Sequence, residues 1–195
     1  LSRALPSRAA DNLFWMGRYV ERAEIHMRLF RAYYARMRDG ESHDSPLLIY
    51  MRKHLLEGAK PDATAIARLF ESPLEGALQS AGKVGDRFSP DGMMALKELM
   101  RLTREMHSDD IPVDEKPAAM SQILRQISGF AGLMHENMYR SLGWRFLSLG
   151  ISIERAANMC ALLARLARND APDGALDLAL EVGDSVISHR ARFSI

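Results

Sequence analysis

Residues 13–24 read LFWMGRYVERAE and lie within a long stretch whose apolar residues recur every three or four positions. This spacing is typical of one face of a helix that packs against other helices. It predicts a helix from about residue 7 to residue 38, with Ser7 as its N-cap. The apolar residues of this face form the first seam, which consists of Leu13, Met16, Val20, Ala23, Met27, Phe30, Tyr34 and Met37.

Helical patterns dominate the rest of the chain, and no segment alternates apolar and polar residues with the period of a strand. Breaks rich in turn residues, such as DGESHDSP at 39–46, separate these patterns. Ser89 followed by Pro90 is a typical helix start. Further helices are predicted at about 46–57, 62–71, 73–86, 89–106, 117–138 and 141–168, with a last one from about 175. The predicted fold class is all-α, a bundle of about six to eight helices.

A near-copy of the opening motif, LGISIERA, occurs at residues 149–156. At one constant offset, Gly17, Glu21, Arg22 and Ala23 align with Gly150, Glu154, Arg155 and Ala156. The apolar positions align as well and define the second seam, which consists of Phe146, Leu149, Ile153, Ala156, Cys160 and Leu163. Matching glycine, glutamate and arginine is more specific than matching apolar residues. The copy therefore predicts an internal duplication with pseudo-two-fold symmetry.

The duplication divides a single domain, 1–195, into two predicted units. Unit one covers about 7–106 and unit two about 118–193. Between them, HSDDIPVDEKP at 107–117 is polar and contains two prolines, so we predict a mobile loop there. The chain starts LSRALPSR without a methionine, and we expect it to be a fragment of a longer polypeptide.

Each motif glycine lies one helical turn before its glutamate. Glycine inside a helix costs about 1 kcal/mol relative to alanine. We therefore expect another helix to approach closely at Gly17 and at Gly150. A glutamate drawn into such a contact needs polar or charged partners, and arginine can supply two parallel N–H bonds.

The two copies differ beside the glutamate. Arg18 lies three residues before Glu21 and can reach it along the same helix. The second copy has Ile151 at this place, so Glu154 lacks that neighbour. We expect Glu154 to reach across to Arg22 or Arg18 of the first copy.

Three interpretations of the Glu-Arg motifs stay open from the sequence. In the first, the pairs brace the two units through buried ion pairs. In the second, the arginines bind a carboxylate or phosphate while the glutamates orient them. In the third, Glu21 acts as an acid or base, which requires a tuned pKa and a substrate pose that the sequence does not show. No catalytic residue is assigned. The candidate structural or ligand-binding residues are Arg18, Glu21, Arg22, Glu154 and Arg155, with Arg190 and Arg192 from the closing HRARF.

Composition argues against several classes of function. A net charge of +1 gives no general attraction to nucleic acid or membranes. Cys160 is the only cysteine, so intramolecular disulfides are excluded, and we predict that it is a small buried apolar residue. No histidine follows a glutamate by three residues, so neither a metal site nor another cofactor is predicted. No apolar run approaches the roughly 20 residues of a membrane helix, and we expect a cytoplasmic location.

Three stretches of the chain, LPSRAADNLFWMGRYVERAE, YRSLGWRFLSLGISIERAA and SHRARF, resemble the alpha-E domain family. The resemblance runs from about Leu5 to Phe193. It implies a bacterial all-helical domain that is built by tandem duplication and named for its Glu-Arg motif. It also implies that the polypeptide continues past these residues and, in some relatives, follows a circularly permuted ATP-grasp module.

The resemblance further implies a non-catalytic or accessory role beside ATP-grasp carboxylate–amine ligases in a peptide synthesis or modification system. The implied partners are a circularly permuted ATP-grasp protein, in cis or in trans, a transglutaminase-like protein and Ntn-type hydrolases. Two alternatives remain. The chain could be an enzyme that acts on a peptide-derived substrate with Glu21 as acid or base. It could also be a helical protein–protein interaction module unrelated to peptide chemistry.

Overall fold

The computed structural model describes residues 5–58, 62–85, 88–106, 111–138 and 142–193. Its elements are α1 (Ser7–Arg38), α2 (Pro46–Tyr50), a first π-helical turn (Met51–Leu55), α3 (Ala63–Ile66), a second π-helical turn (Ala67–Glu71), α4 (Ser72–Val84), α5 (Pro90–Met106), α6 (Lys116–Asn137), α7 (Leu142–Leu166), α8 (Ala175–Val182) and α9 (Val186–Phe193). Within the described ranges there is no strand, and the predicted all-α fold class is confirmed.

Most helix positions agree with the sequence pattern. α1 spans the predicted residues 7–38. The predicted start at Ser89 is confirmed, because its Oγ accepts a hydrogen bond of 2.9 Å from the backbone N–H of Gly92. The π-helical turns continue α2 and join α3 to α4, so the described residues form eight continuous helical runs. This number lies within the predicted six to eight.

Three details of the helix prediction are wrong. The helices predicted separately at 62–71 and 73–86 form one run through the second π-helical turn. Pro6, not Ser7, occupies the N-cap position of α1, and Ser7 is the first helical residue. Proline fixes the backbone φ near the value that a helix start requires, and it does so without a side-chain cap. The last predicted helix is also interrupted, because the chain turns between α8 and α9 around Gly183 and Asp184.

α1 is the central helix of the fold. It packs against α7, α4, α6, the second π-helical turn and α8. The six first-seam residues from Leu13 to Phe30 are at most 4% exposed. Full burial of one large aliphatic or aromatic side chain contributes about 1.5–3 kcal/mol, so this seam is a main source of the stability of the domain.

α7 is buried on the side that faces α1. Its buried residues include Gly150 and Glu154. By helical periodicity, the second seam points away from α1. The exposed fractions are 36% for Phe146, 48% for Leu149, 42% for Ile153 and 47% for Leu163. Cys160 is exposed as well.

Two predictions about the second seam are therefore wrong. The copied seam does not face other helices, and Cys160 is not a buried apolar residue. Among the described elements, α7 packs extensively on α1 and makes a small contact with α8, whereas α4 and α6 pack on α1. The residue pattern is the same in both seams, but in the described part of the chain only the seam of α1 is covered by further helices.

α7 also changes the expectation about membranes. By length and composition, it is the one helix among the described residues that could span a membrane. The prediction that no apolar run approaches this length needs that correction. Core helices of soluble proteins meet the same test when they are mostly buried, but only 22% of the apolar stretch of α7 is buried.

The proposed division into two units is not tested by the fold. Residues 107–110 of the predicted loop lie outside the described residues, and α6 begins at Lys116 within the predicted loop range. The unit boundaries at 7–106 and 118–193 and the mobility of the loop stay predictions.

Candidate functional site

α1 and α7 cross at the two motif glycines. A Cβ atom on Gly17 would overlap the carbonyl oxygen of Leu147 and lie 3.0 Å from the backbone nitrogen of Ile151. A Cβ atom on Gly150 would overlap the carbonyl oxygen of Phe14. Because these neighbours are backbone atoms, a side chain at either position would force the helices apart. The close approach predicted at both glycines is confirmed.

The two glycine contacts are related by the internal repeat. Leu147 aligns with Phe14, just as Gly150 aligns with Gly17. Each motif glycine therefore meets the carbonyl oxygen of an equivalent residue on the opposite helix. α1 and α7 cross about a local pseudo-two-fold axis, as the repeat predicts.

One turn after each glycine, the motif glutamate binds arginine from the opposite helix. Arg155 donates two hydrogen bonds to Glu21, from Nε to Oε1 and from Nη2 to Oε2, both 2.8 Å long. Arg22 Nε donates to Glu154 Oε1 at 2.8 Å, and Arg18 Nε donates to Glu154 Oε2 at 2.6 Å. The glutamate and arginine of each copy thus pair reciprocally with the arginine and glutamate of the other.

Arg18 is the place where the two copies differ. The sequence predicts it beside Glu21, but it binds Glu154 instead, so this prediction is wrong. The reason is that Arg155 already occupies both oxygens of Glu21, whereas Arg22 leaves one oxygen of Glu154 for a second donor. The prediction that Glu154 reaches across to the first copy is confirmed.

The glutamates are buried, whereas the arginines differ in exposure. Glu21 is 7% exposed and Glu154 is 4% exposed. The side chains of Arg18 and Arg22 are 25% and 36% exposed, but that of Arg155 is 58% exposed. Glu154 thus lies between two partly buried cations, while Glu21 faces one cation that is largely in water.

This difference moves the pKa values of the two carboxyl groups in opposite directions. Burial raises the pKa of Glu21 above its usual range, and the hydrogen bonds from Arg155 offset this only in part. Burial also acts to raise the pKa of Glu154, but the hydrogen bonds from Arg22 and Arg18 outweigh it. The pKa of Glu154 is therefore lowered.

We expect the two glutamates to give the stability of the fold opposite pH dependences. The pKa of Glu154 is lower in the folded state than its reference value of 4.5, so its contribution is present above that pH and is lost as the pH falls through the folded pKa. The pKa of Glu21 is raised above 4.5, so its contribution is fully present below that pH and is lost as the pH rises through the folded pKa.

Urea unfolding between about pH 3 and about pH 7 checks this prediction. In the wild type, ionisation of Glu154 makes the free energy of unfolding rise with pH below the reference pKa, and Glu154→Gln should make this rise smaller. Ionisation of Glu21 makes the free energy of unfolding fall with pH above the reference pKa, and Glu21→Gln should make this fall smaller. Each variant serves as the control for the other. Identical pH profiles for the two variants would contradict the assignment.

A groove of about 550 Å³ adjoins the Glu21–Arg155 pair. Its other charged lining residues are Glu24, Arg28 and Asp184. Glu24 and Arg28 form an ion pair of their own at 2.7 Å. Three carboxylates and two arginines give the groove no excess of positive charge. This argues against a purely anionic ligand held here by arginine.

Sequence reasoning missed three of these groove residues. The pair of Glu24 and Arg28 carried a usable signal, because opposite charges four residues apart meet on one helix face. Asp184 carried none, since the connection between α8 and α9 reaches the groove only through the tertiary fold.

Two predicted site residues lie away from the motif. Arg190 and Arg192 are exposed on α9. The extensive contact of α9 is with α8 rather than with α1 or α7, so the structure does not bring these arginines to the crossed glutamates. Their role as structural or ligand-binding residues stays a prediction.

In the part of the chain that the structure describes, no group of three or more histidine, cysteine, aspartate or glutamate side chains could hold a metal ion. His26 is engaged locally, because its Nδ1 donates to the carbonyl oxygen of Arg22 at 2.9 Å. Burial lowers the pKa of His26, which favours the neutral ring.

The helical fold and the crossed Glu-Arg pairs define a known class of domain. The sequence profile of the Alpha-E family, described as a predicted alpha-helical domain with a conserved ER motif, matches residues 5–194. The chain belongs to the Alpha-E family. Its two Glu-Arg dipeptides, at 21–22 and 154–155, are the ones that pair between α1 and α7.

Curated relatives come from mycobacteria. The chain is similar to an uncharacterised protein of Mycobacterium bovis and to an uncharacterised protein of Mycobacterium tuberculosis. In each case the identity is 27% over 194 residues, which covers 80% of this chain and 22% of the relative. The chain thus spans about a fifth of the length of these relatives. No solved structure matches the chain significantly.

Proposed function

We propose that the chain is a non-catalytic, accessory helical domain that acts with an ATP-grasp type carboxylate–amine ligase in a peptide synthesis or modification system. The circularly permuted ATP-grasp protein is engaged in cis or in trans, and a transglutaminase-like protein is a further partner. The proposed location is the cytoplasm. The partnership rests on what the family resemblance implies, and the non-catalytic role rests on the site.

The observation that carries the non-catalytic role is that the motif side chains bind one another. Both oxygens of Glu21 and both oxygens of Glu154 accept hydrogen bonds from arginine on the opposite helix. A general acid or base must reach a proton of the substrate, and these carboxylates are already engaged. The same ion pairs join α1 to α7, so the motif is suited to organising the fold.

The lengths of the relatives also support an accessory role. The stretch similar to this chain makes up 22% of each mycobacterial protein. The domain is thus one part of a much larger polypeptide in those relatives. A helical domain in that setting is suited to positioning other modules rather than to acting alone.

Glu21→Gln separates a structural motif from a catalytic one. Glutamine keeps the shape of the side chain and removes its charge. At a temperature at which circular dichroism shows the variant to be folded, we expect it to support product formation by the ligase system at the wild-type rate. Glu98→Gln, in an exposed ion pair on α5, is the control. A fall of about 100-fold or more in the folded Glu21→Gln protein, the scale of a lost acid or base, would contradict the proposal.

The partnership is tested separately. We expect the complete polypeptide, co-expressed with the ATP-grasp protein of the same organism, to co-elute with it and to change its rate of ATP hydrolysis. If neither occurs, the partnership is wrong, while the structural role of the motif is unaffected.

The groove beside Glu21 favours a second candidate function, the binding of a peptide-derived ligand. Its three carboxylates and two arginines suit a ligand that carries both charges, such as a short peptide with free termini. In this alternative Glu21, whose pKa is raised by burial, acts as acid or base. Titration with the dipeptide Ala-Ala, followed by amide NMR shifts, should then perturb groove residues such as Ser128 and Ser185. Unchanged shifts at millimolar peptide would remove this candidate.

A further inference from the structure

The outer side of α7 carries a continuous apolar row. In the described part of the chain, ten large apolar side chains are exposed, and five of them lie on α7: Leu142, Phe146, Leu149, Ile153 and Leu163. Single exposed apolar residues are common, but a row along a whole helix indicates an interaction surface. We call this row, together with Ala156 and Cys160, the α7 face.

In the first copy of the repeat, the equivalent apolar row is buried under other helices. Leu13 and Val20 of the first seam are 0% and 4% exposed, whereas their equivalents Phe146 and Ile153 are 36% and 42% exposed. The residues are apolar in both copies, so composition does not explain the difference. The first seam lies under helices that pack on α1, namely α4 and α6, and α7 has no equivalent cover among the described elements.

α4 shows which residues a helix that packs on such an apolar row carries. It is amphipathic, and its buried residues are Pro73, Leu74, Ala77, Ser80, Ala81 and Val84. It also lies close on α1, because a Cβ atom on Gly76 would come within 3.0 Å of the Tyr19 ring. A helix with leucine, alanine and glycine on one face therefore fits an apolar row of this kind.

The order of the elements indicates where a helix that packs on the α7 face would come from. α1 is followed by α2, and α4 comes later along the chain. α7 is followed in the same way by α8, which packs on α1 and α7. No described element then takes the place that α4 has on α1. In the mycobacterial relatives, the matching stretch is 22% of a longer polypeptide, which can provide further helices.

We propose that the α7 face is the packing site of an amphipathic helix of the α4 type, supplied by the same polypeptide outside residues 1–195. This helix completes the second half of the pseudo-two-fold domain, as α4 completes the first.

Cys160 provides a direct probe of this surface. It is exposed on the α7 face and is the only cysteine of the 195 residues. In the complete polypeptide, we expect its reaction with a maleimide, followed on the tryptic peptide by mass spectrometry, to be slower than in urea by about tenfold or more. Reaction at the same rate in the native and the unfolded protein would overturn the proposal.

Two variants and two additions sharpen the test. Ile153→Lys should remove the protection of Cys160, whereas Met94→Lys, at an exposed position on α5, should leave it unchanged. If Ile153→Lys fails to fold, the comparison of the maleimide reaction of Cys160 in native and unfolded wild-type protein alone tests the proposal. Protection that depends on protein concentration would assign the face to a second copy. Protection that requires phosphatidylcholine–phosphatidylglycerol vesicles would assign it to a membrane. Either result overturns the proposal.

Discussion

Gly150→Ala is expected to lower the free energy of unfolding by about 3 kcal/mol, at the upper end of the usual range for overpacking. The new Cβ atom would overlap the carbonyl oxygen of Phe14, which cannot move without displacing α1 from α7. This strain exceeds the gain of about 1 kcal/mol that alanine has over glycine in a helix.

Urea unfolding followed by circular dichroism measures the effect, and Gly132→Ala on α6 is the matched control. Apart from its chain neighbours and the adjacent backbone of its own helix, no described atom lies within 4 Å of a Cβ atom at Gly132. The control should therefore be neutral or more stable by up to about 1 kcal/mol. Equal midpoints for the two variants would show that α1 and α7 do not cross at Gly150.

Glu154→Gln is expected to have the second large effect, a loss of about 3 kcal/mol. It leaves Arg18 and Arg22 without the carboxylate that lies between them, and their side chains are only 25% and 36% exposed. Glu21→Gln should cost little near neutral pH, about 0.5 kcal/mol or less, because burial already disfavours the charged form of Glu21. Its partner Arg155 is 58% exposed and can turn into water.

The same unfolding measurement checks the order of these two effects. Glu98→Gln removes a carboxylate from an exposed ion pair with Arg101 and should leave the midpoint unchanged. A greater loss for Glu21→Gln than for Glu154→Gln would contradict the burial that the structure gives to the two ion-pair groups.

The motif itself could be predicted well from the sequence. A glycine one turn before a glutamate has an energetic cost that close helix contact offsets, and this reasoning placed both Gly17 and Gly150 at the crossing. The replacement of a basic residue by Ile151 also indicated that Glu154 must bind the opposite helix. Both inferences depend on local chemistry that does not change with the surroundings.

Features that depend on distant parts of the chain could not be predicted. Apolar spacing identifies a helix face that packs, but it does not say whether another helix is present to cover it. Cys160 was therefore predicted to be buried and is exposed. Likewise, the sequence offers Arg18 two partners, Glu21 on its own helix and Glu154 on the opposite helix, and which of them it binds depends on how Arg155 occupies Glu21.

Among the helix boundaries, too, those set by local sequence could be predicted and the others could not. Capping at Ser89 is local and was predictable. The π-helical turn Ala67–Glu71, which joins α3 to α4, was not, because a single extra residue in a helical turn hardly alters the apolar pattern. The separate helices predicted at 62–71 and 73–86 therefore form one run.

The duplicated Glu-Arg motifs bind α1 to α7 across the local axis. A double-mutant cycle with Glu154→Gln and Arg22→Gln, measured by urea unfolding, tests this interaction most directly. We predict a coupling free energy of about 1 kcal/mol or more, so that the double variant loses less stability than the sum of the single losses. Losses that add to within about 0.3 kcal/mol would show that the two side chains do not interact, and would contradict the account.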